Sequence, residues 1–389
     1  MTIAVKRYYS GMTGVPTLSG TAGALIALLD ACLKDGFNVK APTGAAQAAG
    51  TATLSFPAAH GYAPGDVIAL SGANESAWND EFLVLTTTTN ALTFAISAGT
   101  TSPATGTLSC KIAPLGWTKP FSGTNKGVYL PAAQYVQCYL RVLDDSTVPT
   151  SASGRWAKAR GYESMSDIDT GTGPFPTVAQ AANALSILKS STSDSVARSW
   201  WLVGDGGIFY IGTAWHVSYP TSFSGYAFGD PASLRAGDAF SALLIADQAG
   251  ADTIPTYPGT NNFFSTIGTL TATQPGKYLA RAYDQSGSAV AGGFIGDNAV
   301  STVLGKGGIS GLNLPNDGFM FAQVGVVESS YIRSRALPGL YQPLHDNKYI
   351  HLDVSPSSSD LPNRTLQIFG LAYSNLQAQC LIDVTGPWR

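Results

Sequence analysis

Two aspartates, Asp167 and Asp169, stand in the run Ser-Asp-Ile-Asp-Thr-Gly-Thr-Gly, and two chemistries follow from that spacing. Asp169-Thr-Gly171 matches the triplet of aspartic proteases, whose two carboxylates share one proton. That chemistry needs a second triplet, and the sequence has none. Asp-rich turns also supply oxygen ligands to hard cations, and the Thr-Gly run could add backbone carbonyls. The preferred alternative is a turn in which the carboxylates accept backbone N–H groups. No metal is assigned.

The other chemistry-bearing clusters are thinner. His345, Asp346, His351 and Asp353 gather two of the four histidines. Their spacing fits no zinc helix motif, although a strand would put both rings on one face. Ser186-Ile-Leu-Lys189 fits S-x-x-K without the S-D-N and K-T-G partners of the serine acyl-enzymes. Gly305 to Gly311 is Gly-rich but carries no phosphate-loop pattern, and no G-x-S-x-G elbow occurs. A non-enzymatic protein is expected, with no catalytic residues and no cofactor.

The aromatics are the remaining signal. Trp200, Trp201, Tyr210, Trp215, His216 and Tyr219 fall close together. Such rings stack on pyranoses, and they also fill cores and subunit contacts. Core and interface are preferred, and a glycan site stays open.

Composition limits the partners. Only 12% of the 389 residues are charged, against about 25% in an average soluble domain. The net charge is −3 and no basic stripe appears, which disfavours nucleic acid. A surface this neutral suits a protein covered by neighbours, or one built from small-residue β-structure. Hydrophobic residues reach 44%, enough for a large core. Cys32, Cys110, Cys138 and Cys380 form no close pair and read as small buried hydrophobes. The N-terminus shows no signal-peptide core and no apolar run approaches about 20 residues, so no membrane partner is expected. Synthesis and assembly in a cytoplasm are expected.

The elements that must position these residues are mostly strands. The 43 glycines and 22 prolines mark many turns. One amphipathic helix is expected from Thr21 to Asp35, capped by Ser19 or Thr21 and ended by Gly36. Ala41 to Gly50 reads as a small-residue linker. Strands are expected at Thr51–Phe56, Val67–Leu70, Glu81–Thr87, Ala91–Ser97 and Gly106–Ile112. Beyond them come a strand at Tyr139–Leu143, a helix at Thr177–Ser190, and a hairpin of Trp200–Val203 with Gly207–Ile211 across Gly204-Asp-Gly206. Further strands are expected at Ala242–Ala246, Tyr278–Tyr283, Phe319–Val324, Thr365–Leu371 and Gln379–Val384. The fold class is mainly β with a few helices: an inserted β-sandwich or barrel module, 41–115, in a larger β-rich domain formed by 1–40 and 116–389.

Several phrases together resemble poorly characterised virion proteins of tailed bacteriophages. They are Tyr8-Tyr-Ser-Gly-Met-Thr-Gly-Val-Pro16, Leu18-Ser-Gly-Thr-Ala-Gly23, Trp117-Thr-Lys-Pro-Phe-Ser-Gly-Thr-Asn125, Arg160 to Pro174, Leu337-Pro-Gly-Leu-Tyr-Gln-Pro-Leu-His345 and Val384-Thr-Gly-Pro-Trp388. Residues 41–115, with His60-Gly-Tyr-Ala-Pro-Gly-Asp66, resemble small β-modules of phage tail and adhesin-like proteins. The resemblance implies a structural virion role, in the tail or baseplate or on the capsid surface, with other virion proteins and copies of the chain itself as partners. The alternatives are an adhesin for host-surface glycan and, third, an enzyme acting on the host envelope.

Overall fold

A computed structural model describes residues 5–145, 154–233, 235–247, 276–294, 321–328, 334–343, 350–354, 361–371 and 378–389. Three antiparallel sheets account for its strands, and each sheet is drawn almost entirely from one stretch of chain.

The chain opens with β1 (Lys6–Tyr9) and helix α1 (Ala24–Leu29), which runs on into a π-helical turn, Asp30–Asp35. Leu25, Leu28, Leu29, Cys32 and Leu33 are buried, as the apolar stripe requires. The cap differs from expectation. Ser19 and Thr21 bond to each other through their hydroxyls, and Gly23 holds the N-cap position in the left-handed region without a side-chain bond. Asp144 supplies the acceptor instead, taking the Leu25 N–H at 2.9 Å from 119 residues away.

A seven-stranded sheet follows: β2 (Phe37–Lys40), β3 (Gly44–Ala48), β4 (Thr51–Ser55), β5 (Val67–Ala73), β6 (Glu81–Thr87), β7 (Ala91–Ala95) and β8 (Gly106–Ile112). Its order is β2-β8-β5-β6-β7-β4-β3. Burial alternates strictly along β4, so one face is core and the other solvent. The expected linker at Ala41 to Gly50 is corrected: residues 44–48 form β3 and pair with β4. Ala49 and Gly50 both have positive φ, 47° and 85°, which is the two-residue hairpin turn that matches strand twist. An edge strand that buries little more than Ala45 carries almost no hydrophobic signal.

The six-stranded sheet comprises β9 (Thr118–Gly123), β10 (Lys126–Leu130), β11 (Tyr139–Leu143), β12 (Trp156–Met165), β13 (Gly171–Phe175) and β14 (Leu185–Leu188). The long β12 pairs with β13 at its C-terminal half and with β14 at its N-terminal half. The helix expected over Thr177–Ser190 is a second correction. Its capping signal is real: Thr177 N–H donates to Gln180 Oε1 and Gln180 N–H to Thr177 Oγ1. The turn ends at Ala184, whose φ is 62°, and Leu185–Leu188 leave as a fully buried strand. Tertiary pairing overrides helix propensity there.

The twelve-stranded sheet takes β1 together with β15 (Trp200–Gly204), β16 (Ile208–Ala214), β17 (Phe223–Gly229), β18 (Ala232–Ser233), β19 (Leu243–Ala246), β20 (Gly276–Leu279), β21 (Val290–Phe294), β22 (Phe321–Glu328), β23 (Ser334–Pro343), β24 (Leu366–Leu371) and β25 (Ala378–Asp383). The expected strands in this stretch are present with shifted ends, and the Gly204-Asp-Gly206 hairpin joins β15 to β16. Strands β15, β16, β17 and β19 are buried along their whole length. Alternate residues serve two cores. Trp200, Leu202, Phe209 and Tyr226 join a core shared with α1 and the other two sheets. Trp201, Val203, Ile208 and Tyr210 enter a second core that reaches Leu340, Phe369 and Ile382. The sheet curls around this second core, so that Arg7 of β1 donates to Gln367 Oε1 of β24 at 2.9 Å.

All four cysteines are buried free thiols. Among the described residues no helix is long and apolar enough to cross a membrane.

Candidate interaction surface

Ser186 and Lys189 lie on β14 and just beyond it, where residues three apart face opposite ways. Lys189 Nζ pairs with Asp144 and donates to the Thr21 carbonyl at 2.6 Å. Both members of the pair are fully buried. Burial pushes the Asp144 carboxyl up and the Lys189 ammonium down, and the attraction between them opposes both shifts. The pair therefore ties β11, β14 and the start of α1 together. Ser186 Oγ instead accepts from Lys158 Nζ at 2.8 Å, and burial lowers that ammonium to about 8. Ser186 is 1% exposed.

Asp167 and Asp169 form a closed turn. Asp167 Oδ1 accepts the N–H groups of Asp169 and Thr170 at 2.7 and 2.8 Å, and these bonds hold its carboxyl below the usual range. Asp169 Oδ1 pairs with Arg141 and lies 3.7 Å from Lys126 Nζ. Two cations, Lys126 of β10 and Arg141 of β11, thus face the Asp169 oxygen that a metal would need. Among the described residues no group of three or more His, Cys, Asp or Glu is placed to hold an ion.

The aromatics divide. Trp200, Trp201 and Tyr210 are at most 1% exposed and belong to the cores, so they offer no surface to a glycan or a neighbour. The Trp201 ring lies 4.7 Å from Phe369, and Tyr210 OH donates to the Pro338 carbonyl at 2.9 Å. Trp215 and Tyr219 follow β16: Trp215 is partly buried against the first core, and Tyr219 stays at the surface. Their rings stack at 5.6 Å with a 16° tilt, His216 lies against both, and Tyr219 is 40% exposed. His351 is half-buried against Phe223, accepts the Gly370 N–H, and is pushed down to about 4 by burial. His345 and Gly305–Gly311 lie outside the described residues.

No family model and no curated protein matches the chain. Among solved structures it is similar to the phage phi92 endosialidase, at 10% identity and a TM-score of 0.17, over 90% of this chain and 52% of that one. The chain spans about half the length of that structure. At such a TM-score the likeness decides neither fold nor activity.

Sequence reasoning missed a concavity of about 580 Å³ on the seven-stranded sheet. Leu83 and Leu85 of β6 line it with Ala77, Ile96, Glu81 and Thr100. Leu83 and Leu85 are 44% and 47% exposed, on the outer face of a central strand. The run Phe82-Leu-Val-Leu85 is the signal that could have found it. It is apolar on both faces in a sheet whose β4, two strands away, is polar outside.

Proposed function

We propose that the chain is a non-enzymatic structural component of a tailed-phage particle, in the tail or baseplate first and on the capsid surface second. One observation carries the structural part: among the described residues, four of the side chains offered for chemistry are committed within the fold. Lys189 is committed to Asp144, Ser186 to Lys158, Asp167 to its own turn, and Asp169 to Arg141. The virion address rests on the six resembling phrases. Other virion proteins and copies of this chain are the proposed partners.

A second reading is adhesion to host-surface glycan. Tyr219, exposed and stacked on the partly buried Trp215, favours it, since an exposed ring can carry a pyranose.

Quantitative mass spectrometry of purified particles tests the main reading. The expected result is a fixed stoichiometry, about six or twelve copies for a ring in the tail. Hundreds of copies would move the chain to the shell, and absence from the particles would contradict the reading.

A further inference from the structure

Val384-Thr-Gly-Pro-Trp-Arg389 follows β25 as a strap held by its side chains. The Val384 N–H donates to the Thr365 carbonyl at 2.9 Å, and beyond it no backbone–backbone hydrogen bond holds the stretch among the described residues. Thr385 and Pro387 are exposed. Two side chains do the holding. Trp388 packs on the second core, its ring 5.7 Å from that of Tyr210, and its Nε1 donates to the Asp383 carbonyl at 2.8 Å. It covers Gly339 of β23 so closely that a Cβ there would overlap the ring.

Arg389 enters a socket drawn from two sheets. Its Nη1 donates to the Asp230 carbonyl at 2.7 Å and lies 3.2 Å from Asp230 Oδ2. Its Nη2 lies 3.5 Å from Asp205 Oδ1. The guanidinium stands 4.8 Å from the ring centre of Tyr135, which lies between β10 and β11. Gly207 leaves the room, since a Cβ there would stand 2.6 Å from Nη2. Asp205 is 1% exposed, and its Oδ1 also accepts the N–H groups of Gly207 and Ile208 at 2.8 Å each. Its own turn therefore fixes its position, with or without the arginine.

Two carboxylates, a backbone carbonyl and a ring face fit a guanidinium. A lysine offers one compact charge, without the planar fork that reaches both acids or the flat face that lies on the ring. Among the described residues Arg389 is the cation paired with Asp205 and Asp230. Burial pushes the Asp230 carboxyl up, and the attraction of Arg389 opposes that shift. An empty socket would leave two neighbouring acids without their cation, which is costly at this depth.

We propose that Tyr135, Asp205 and Asp230 form a binding site for an arginine preceded by an aromatic residue, that Trp388-Arg389 fills it as a displaceable latch, and that in the particle the same stretch of a second copy takes its place. This rests on the reading in which copies of the chain are partners. Every copy carries both ligand and socket, and exchange replaces each contact by its equal, a low-cost route to association. A partly buried ion pair is screened little by salt, so the contact is compatible with otherwise neutral surfaces.

The test titrates a capped peptide, acetyl-Thr-Gly-Pro-Trp-Arg-amide, by calorimetry and NMR. A chain lacking residues 387–389 should bind it, and the full chain about tenfold more weakly or less, because its own latch competes. Lysine in place of the peptide's arginine, or Asp230→Asn in the shortened chain, should each weaken binding about tenfold or more. No binding by the shortened chain, or equal binding of the lysine peptide, overturns the site. Equal binding by the full and shortened chains overturns the latch. If the shortened chain does not melt cooperatively, Arg389→Ala keeps Trp388 in place and is titrated with acetyl-arginine amide, where no saturable binding overturns the site. Exchange is read by mixing the shortened chain with a full-length Asp230→Asn chain. A mixed complex in native mass spectrometry is expected, and two separate chains overturn the exchange. Absence of the chain from purified particles would contradict the virion reading and leave these titrations to decide the site.

Discussion

Strands β4 and β15 are each five residues long, yet β4 buries every second residue and β15 buries all five. The difference lies in what faces them. β4 has core on one side and solvent on the other. β15 stands between two cores, so Trp200 and Leu202 serve one while Trp201 and Val203 serve the other. A strand with one dry face can lend the other to a partner. A strand with two dry faces has nothing left to lend. The seven-stranded sheet is thus suited to contact, and β15 to β19 to support.

Substitutions that ignore strand parity separate the two regions most strongly. Trp201→Ala and Leu202→Ala, on opposite faces of β15, should each cost about 3–5 and 2–5 kcal/mol in denaturant unfolding. In β4, Leu54→Ala should cost about 2–5 kcal/mol and its neighbour Thr53→Ala no more than about 0.5. A Leu202→Ala cost as small as that of Thr53→Ala would remove the two-core description.

The supporting region also carries buried charge. Asp144→Ala leaves Lys189 buried without its carboxylate and should cost about 3 kcal/mol. Asp144→Leu combined with Lys189→Met should recover most of that loss. If the double variant is no better than the single one, the loss lies in the cap on Leu25 rather than in the charge.

Asp247, just after β19, adds a pH dependence. Burial raises its carboxyl from 3.8 to about 7, against the opposing hydrogen bond from Tyr226 OH at 2.8 Å. The folded value lies above the unfolded one, so the folded state holds the proton more tightly. Stability is therefore highest below about pH 4 and is lost as pH rises through about 7. Relative to Asp247→Asn, the wild-type chain should lose about 1–3 kcal/mol between pH 4 and 8. A difference between the two proteins that is constant across that range would contradict the assignment.

The smallest effect is expected at the Asp167 turn. Calcium and chelator should give melting temperatures within about 1 °C of each other, because no ion adds binding energy to the folded state. A calcium-dependent rise that Asp169→Ala abolishes would make the turn a cation loop.

The two regions also differed in how far the sequence disclosed them. The strands from Thr51 to Ile112 were legible because alternation with polar residues is itself the signal of a one-sided sheet. The β15–β16 hairpin was legible from Gly204-Asp-Gly206. Thr177–Ser190 was not, because a genuine capping box starts one turn and pairing with β12 then takes Leu185–Leu188. The cap of α1 was hidden because its acceptor is 119 residues distant. Spacing brought the aromatics together but gave no depth, and three of the six named rings are interior. The β6 concavity went unseen because an exposed leucine and a core leucine look alike in sequence.

The central claim is a structural virion protein that assembles through neutral surfaces, and particle washing tests it most directly. Purified particles are washed from low salt to about 0.5 M NaCl, well past the screening of surface ion pairs, and the retained chain is quantified by mass spectrometry. The 12% charge predicts an unchanged copy number throughout. Progressive release with salt would contradict assembly through neutral surfaces, and absence before washing would contradict membership in the particle.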